Sequence, residues 1–217
     1  MNVLRSLEQK RSNFSYSLLK EVVNLRDKDN LERLNGVLRI IYEKNDGITL
    51  TSEEFESLKT DKDEKKDIFG NKFQKTLEEK LSSYISRAPT TILVNGLGNT
   101  MAFYISKIGA EPNSIKKLIT DFKEKLQKGD KVDNLKKQIL DVSKPDKVAY
   151  LIIYTAINDW LKRNEIGIVK GAEDVLEWFR KNNTTSLDVM HATKETLELL
   201  KWMKRFAEAM LETGDTA

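Results

Sequence analysis

The sequence predicts an all-α fold, a compact helical bundle forming a single domain over residues 1–217. Three observations carry this. Apolar residues recur three and four positions apart along most of the chain, the spacing of one helix face. Alternation at period two, the mark of a half-buried strand, is rare. Punctuation is sparse, with 3 prolines and 10 glycines in 217 residues, too few for many short strands and tight turns. That length buries a core without covalent staples, and the chain has no cysteine.

The elements follow in order. A first helix is predicted over about 4–25, its core stripe Leu7, Phe14, Leu18, Val22 and Leu25. The polar break Arg26–Asn30 ends it. A second helix spans Leu31–Glu43 with Leu34, Leu38 and Ile41 inward. Asn45-Asp-Gly47 is a turn. Thr51 or Ser52 caps a short helix, which runs into the charged segment Lys59–Asp67, a solvated loop or exposed helix. From about Ile68 a longer helix carries Phe69, Phe73, Leu77, Leu81 and Tyr84 and ends before Ala88-Pro89.

The segment about 89–108 is predicted as the buried central helix of the bundle. No charged side chain occurs between Pro89 and Ser106, in a chain that is 33% Asp, Glu, Lys and Arg. Pro89 suits a first helical turn and Gly109 a left-handed end. Thr91, Asn95, Gly98, Ala102 and Ser106 form a small face, expected to let another helix backbone come close.

After it, Ser114 is a candidate cap for a helix over Ile115–Leu126. Lys128-Gly-Asp130 breaks that helix and Val132–Val142 forms the next. Pro145 opens a helix lined by Tyr150, Tyr154, Ile157 and Leu161, flanked by Trp160. A short helix over Glu173–Arg180 carries Val175, Trp178 and Phe179. Beyond the polar hinge Asn182–Ser186, the last helix runs from about Leu187 to Leu211, with Val189, Leu197, Leu200, Met203, Phe206, Ala207 and Met210 inward. Trp160, Trp178 and Trp202 are expected to pack rather than to stack on a ligand.

The residue inventory argues against catalysis. With no cysteine and a single histidine, His191, there is no thiol nucleophile, no multi-histidine metal site and no Ser/His/Asp set. Asn95-Gly-Leu-Gly98 lacks the Gly-Lys-Ser/Thr ending of a phosphate loop and lies in a helical pattern. Asp61-Lys-Asp-Glu64 lacks the glycine and glutamate of a calcium loop. The expectation is therefore no enzyme, no cofactor and no metal. No run reaches membrane-span length and the first twenty residues lack a signal peptide's apolar core, so the protein is expected to be cytoplasmic with no membrane partner.

Net charge is only +3, from 37 basic and 34 acidic residues, so nucleic-acid binding would need local segregation of charge. The best basic cluster is Lys201, Lys204 and Arg205, neighbours on one helix face. Lys80 and Arg87 precede the apolar segment, and Lys10 and Arg11 lie off the stripe of the first helix. Two readings stay open. One is an RNA-associated protein that meets phosphates through these cations. The other is a helical protein–protein adaptor with no nucleic-acid contact, which an exposed apolar patch without basic neighbours would favour.

Three segments together carry a family resemblance. They are Leu7-Glu-Gln-Lys-Arg11 with Phe14-Ser-Tyr-Ser-Leu18; Leu81-Ser-Ser-Tyr-Ile-Ser-Arg-Ala-Pro89 leading to Asn95-Gly-Leu-Gly98 and Met101-Ala-Phe-Tyr104; and Ala192 to Ala207, ending Trp-Met-Lys-Arg-Phe-Ala. With the Tyr-rich stretch Tyr150–Leu161, their order and spacing resemble the small subunit of the type III-B (Cmr) CRISPR RNA-guided effector complex. The chain departs from that pattern in longer segments at about 27–75 and 111–146, and in Asn99, where a glutamine is expected. The resemblance implies a non-enzymatic, all-helical protein. Copies of it would stack along the effector beside other subunits and line a basic groove for target RNA and the guide RNA backbone, cleavage belonging elsewhere. On this chain the RNA-binding candidates are Lys10, Arg11, Lys80, Arg87, Asn95, Lys201, Lys204 and Arg205.

Overall fold

The computed structural model describes residues 6–42, 48–58, 68–163, 166–181 and 183–212. Among these residues the regular structure is helical throughout. The helices are α1 (Leu7–Val23), α2 (Asn30–Ile41), α3 (Ser52–Leu58), α4 (Asn71–Asn95), α5 (Leu97–Ile108), α6 (Pro112–Gln127), α7 (Asp133–Val142), α8 (Pro145–Lys162), α9 (Val175–Arg180) and α10 (Ser186–Met210). The all-α expectation is borne out.

Local chemistry fixes the helix starts. The first backbone N–H groups of a helix have no intrahelical partner, and side-chain oxygens supply one. Ser6 and Gln9 form a reciprocal capping box on α1, Thr51 and Glu54 do so on α3, and Thr185 and Asp188 on α10. Asp29 caps α2 and Asp174 caps α9. Pro112 and Pro145 open α6 and α8, where their missing N–H costs nothing. Ser114 is therefore not the α6 cap; the helix already starts two residues earlier, at Pro112.

The bundle is organised around α8. Ala149, Ile152, Ile153, Ile157, Trp160 and Leu161 are all 0% exposed, and α4, α5, α10 and α2 pack around it. A helix apolar on nearly every face is buried on nearly every face. The expected central helix at about 89–108 is corrected on this point. Residues 71–95 form one helix with Pro89 inside it, and the break falls at Gly96, whose φ of 80° and ψ of 158° suit glycine alone. Leu93 and Val94 are 70% and 75% exposed. The lack of charge from Pro89 to Ser106 thus marks an uncharged outer surface as much as a core. A Cβ placed on Gly98 would lie 3.5 Å from the Phe179 ring, so its nearest neighbour is a side chain rather than a helix backbone, and Ala102 faces outward. Gly109 does end its helix in the left-handed conformation, at φ 86°.

The α1 stripe is rotated from expectation. Leu19, Val22, Ser15 and Arg11 point inward, while Leu7 is 38% exposed. Arg11 turns inward because it meets acids there, a pairing invisible to a hydrophobicity pattern. Arg33, 2% exposed, donates to the carbonyls of Leu25, Arg26 and Phe69 and to Asn71, and so satisfies the turns that flank α2 and α4. The two regions expected as elaborations meet each other: the Tyr42 hydroxyl donates to the Pro112 carbonyl and Lys123 to the Thr49 carbonyl, each at 2.8 Å. The expected turn Asn45–Gly47, the charged run Lys59–Asp67 and the carboxylates at 61–64 lie outside the described residues.

Candidate nucleic-acid interface

The eight candidate residues fall on separate surfaces. Helices α4 and α10 run antiparallel: Glu78 accepts the Glu212 N–H at one end, and Pro89 and Leu93 face Thr193 and Leu197 at the other. At 100° per residue, Arg87 and Lys80 lie about 160° and 180° around α4 from Pro89. They therefore point away from α10, and the structure does not bring them together with Lys201, Lys204 and Arg205.

On α10 the three cations are exposed. Lys201 bonds Glu198 at 2.6 Å, Lys204 lies 3.8 Å from Glu208, and the Arg205 guanidinium sits 4.9 Å from the Trp202 ring centre. Trp202 stacks on Phe206, which meets Tyr16 edge-on at 5.5 Å, with the Lys20 ammonium 5.6 Å from the Tyr16 ring. These helix-surface pairs exchange readily, since exposed ion pairs contribute little.

Arg11 is committed elsewhere. Its guanidinium makes two 2.8 Å bonds to Glu195 and one of 2.9 Å to Glu8. Glu195 also accepts the Trp160 indole N–H, and Glu8 accepts that of Trp202. Burial pushes the Glu195 carboxyl up, but the Arg11 and Trp160 hydrogen bonds and the Arg11 charge outweigh it and hold it below its ordinary value. Arg11 is thus a structural clamp between α1, α8 and α10, and it leaves the interface set. Lys10 is half-buried on the neighbouring face and is engaged with the protein itself.

On α4, Lys80 and Arg87 are exposed, and no carboxylate among the described residues lies within ion-pair distance of either. Asn95 is exposed at the α4–α5 corner, its carbonyl accepting from the Asn99 amide. One turn before Arg87, Tyr84 stacks on Tyr150 of α8 with ring centres 4.1 Å apart and planes 16° apart. Phe103 of α5 meets Tyr150 at right angles at 6.0 Å, and the Lys107 ammonium lies 5.2 Å from the Phe103 ring centre. Burial and the neighbouring Tyr150 hydroxyl push the Tyr84 hydroxyl up to about 12, with Asp146 adding and Arg87 opposing. The sequence reading missed Lys107 and Phe103. Their only signal was position: Phe103 falls in the segment read as core, and Lys107 one residue beyond its uncharged span.

A third surface is apolar. Pro89, Leu93, Met190 and Leu197 line a groove between α4 and α10 of about 430 Å³, edged by Lys194, Glu198 and Lys201. Met190 is 57% and the adjacent Leu187 56% exposed. His191 is exposed on the same stretch of α10. Among the described residues no three His, Asp or Glu side chains gather as a metal site, and no helix is long and apolar enough to cross a membrane.

Fold and surfaces together define an all-helical protein with basic, aromatic and apolar faces. Residues 66–210 match the family model described as CRISPR-associated protein (Cas_Cmr5), and the chain belongs to that family. The match begins just before α4 and runs to the end of α10, so it contains both basic faces, the Tyr84–Phe103 seam and the apolar groove. The protein is thus a small subunit of the type III-B (Cmr) CRISPR system, associated with other Cmr subunits.

Proposed function

We propose that this subunit is non-catalytic and lines the groove that holds target RNA in the effector complex. The reading rests on family membership together with one observation. Lys80 and Arg87 are exposed cations on one face of α4, without carboxylate partners among the described residues. Cations so placed meet phosphates without first giving up an ion pair, and each neutralised phosphate releases counterions. Asn95, at the corner of the same surface, adds an amide that donates to phosphate or ribose oxygens. Lys201, Lys204 and Arg205 offer a second phosphate-facing surface on the other side of α4, reached after exchange of the weak Glu198 and Glu208 pairs. Contacts of this kind position RNA and read no sequence.

The apolar groove at Leu93, Met190 and Leu197 fits contact with neighbouring subunits or with further copies of this chain. Its edge is basic, so it does not favour an adaptor that avoids nucleic acid.

The test uses the complex reconstituted with guide RNA. Lys80→Ala/Arg87→Ala and, separately, Lys201→Ala/Lys204→Ala/Arg205→Ala are compared for folding by circular dichroism and for capture of matched target RNA. Both should fold like the parent and assemble. Weaker capture, equal across unrelated guide–target pairs, supports the reading. Unchanged capture by both variants refutes it. Metal-dependent RNA cleavage by the isolated chain, abolished by a single carboxylate change, refutes the non-catalytic part.

A further inference from the structure

The rings between α4, α5 and α8 are arranged as more than packing. Tyr84 and Tyr150 stack face to face, and Phe103 meets Tyr150 at right angles. Phe103 remains 41% exposed. Cations close both ends of this seam: Arg87 is one helical turn beyond Tyr84, and the Lys107 ammonium lies 5.2 Å from the Phe103 ring centre. No carboxylate among the described residues pairs with either cation, and Lys80 extends the charge along α4. Asp146, near the Tyr84 hydroxyl, is the acid that faces the seam.

We propose that this seam is a stacking site for unpaired bases of single-stranded RNA, with Phe103 as the open platform and Arg87 and Lys107 holding the flanking phosphates. The proposal rests on the RNA reading above and adds a base-contacting role to it. Aromatic rings beside a cationic track are the general means by which proteins hold single strands without sequence preference, because every base has a π-face. Charge complementarity selects the occupant. A protein partner covering an exposed Phe needs no cation at either end, whereas a polyanion whose monomers carry rings uses both features. Lys107 over the Phe103 face is a weak, exposed cation–π contact. It gives way to a base and swings its ammonium to the adjacent phosphate. The Tyr84–Tyr150 stack, tied to the core through α8, fixes the edge against which Phe103 rests.

Two measurements test this. First, full-length protein at low salt is titrated with oligouridine and with an abasic ribose-phosphate oligomer of equal length. The parent should prefer oligouridine by roughly 5- to 150-fold, the worth of one stacked base. Phe103→Leu should erase the preference and Phe103→Tyr should keep it. Lys107→Gln should weaken both probes alike. Second, target RNA bearing 5-iodouridine is photocrosslinked in the reconstituted complex, and the adducts are mapped by mass spectrometry. Adducts at Phe103, Tyr84 or Tyr150 support the site. Equal binding of the two probes by the parent, or adducts confined to other residues of this chain, overturns it while leaving the phosphate-lining reading intact. If Phe103→Leu instead blocks assembly of the subunit and no adduct forms at the seam, the surface is a protein contact and the proposal fails. Should the chain take no crosslink and its charge variants leave capture unchanged, the RNA reading itself falls.

Discussion

Replacing Glu195 by alanine is the sharpest perturbation of the fold. Its carboxylate accepts two bonds from Arg11 and one from the Trp160 indole, at 2.8, 2.8 and 3.0 Å. The side chains of Arg11 and Glu195 are 11% and 12% exposed. Truncation leaves a nearly buried guanidinium with only Glu8, and leaves the N–H of a fully buried tryptophan unpaired. Removing one partner of a buried pair costs about 3–5 kcal/mol, since the remaining charge stays desolvated. For a chain of 217 residues each kcal/mol lowers the melting temperature by about 2–4 °C, so Glu195→Ala should melt about 6–20 °C below the parent. The double variant Arg11→Met/Glu195→Leu removes both charges and should recover much of that loss. Differential scanning calorimetry of the parent, Arg11→Met, Glu195→Leu and the double variant, with Glu195→Ala alongside, is the assay. A Glu195→Ala melting temperature within a degree of the parent's, or strictly additive effects, would refute the clamp.

Three further outcomes are expected. Gly96→Ala forces a side chain into a backbone region that only glycine visits freely, with nothing within 4 Å of the new Cβ; it should cost about 1–3 kcal/mol by denaturant titration, and a neutral result would mean the α4–α5 corner relaxes. Gly98→Ala places its Cβ in ordinary contact with the Phe179 ring at 3.5 Å and gains helix propensity, so it should be neutral or stabilising by up to about 1 kcal/mol; clear destabilisation would show a tighter contact. For acid, burial pushes the Glu78 and Glu195 carboxyls up, but bonds from Arg26, Glu212 and Gln74 to the one, and from Arg11 and Trp160 to the other, hold both below their ordinary values. Their stabilisation is therefore complete above the unfolded carboxylate pKa near 4.3 and is lost as pH falls through the lower folded values; an acid transition unchanged in Glu195→Gln would contradict this.

Much of the architecture is legible in the sequence because helical spacing is a one-dimensional signal. Boundaries of α2, α7, α8 and α10 follow from it to within a residue or two. The errors have a common physical origin. An uncharged run suggests burial, yet Leu93, Val94 and Phe103 are outward-facing, and burial depends on neighbours that periodicity does not encode. Pro89 signals a helix start in the sequence, although a long helix that buries Leu81, Ile85, Ala88 and Ile92 absorbs the loss of one hydrogen bond. Arg11 has the sequence position of a solvent-facing cation because its partner Glu195 lies 184 residues away. The candidate interface was legible as a composition of charges but not as faces. Lys80 and Arg87 lie one turn either side of Tyr84, whose ring stacks on Tyr150 beside Phe103, and point away from the α10 cluster, a relation set by the packing of α4 on α5 and α8.

The central claim, that this chain meets RNA phosphates through its α4 surface, is tested most directly by the salt dependence of target-RNA capture. Complexes built with the parent chain and with Lys80→Ala/Arg87→Ala are titrated with the same matched target across a series of salt concentrations. Each phosphate contact removed should flatten the slope of log K against log salt by about 0.7–0.9. The account predicts a slope shallower by about 1.5 for each copy of the chain that contacts RNA. Parallel lines of identical slope, with assembly intact, would contradict it.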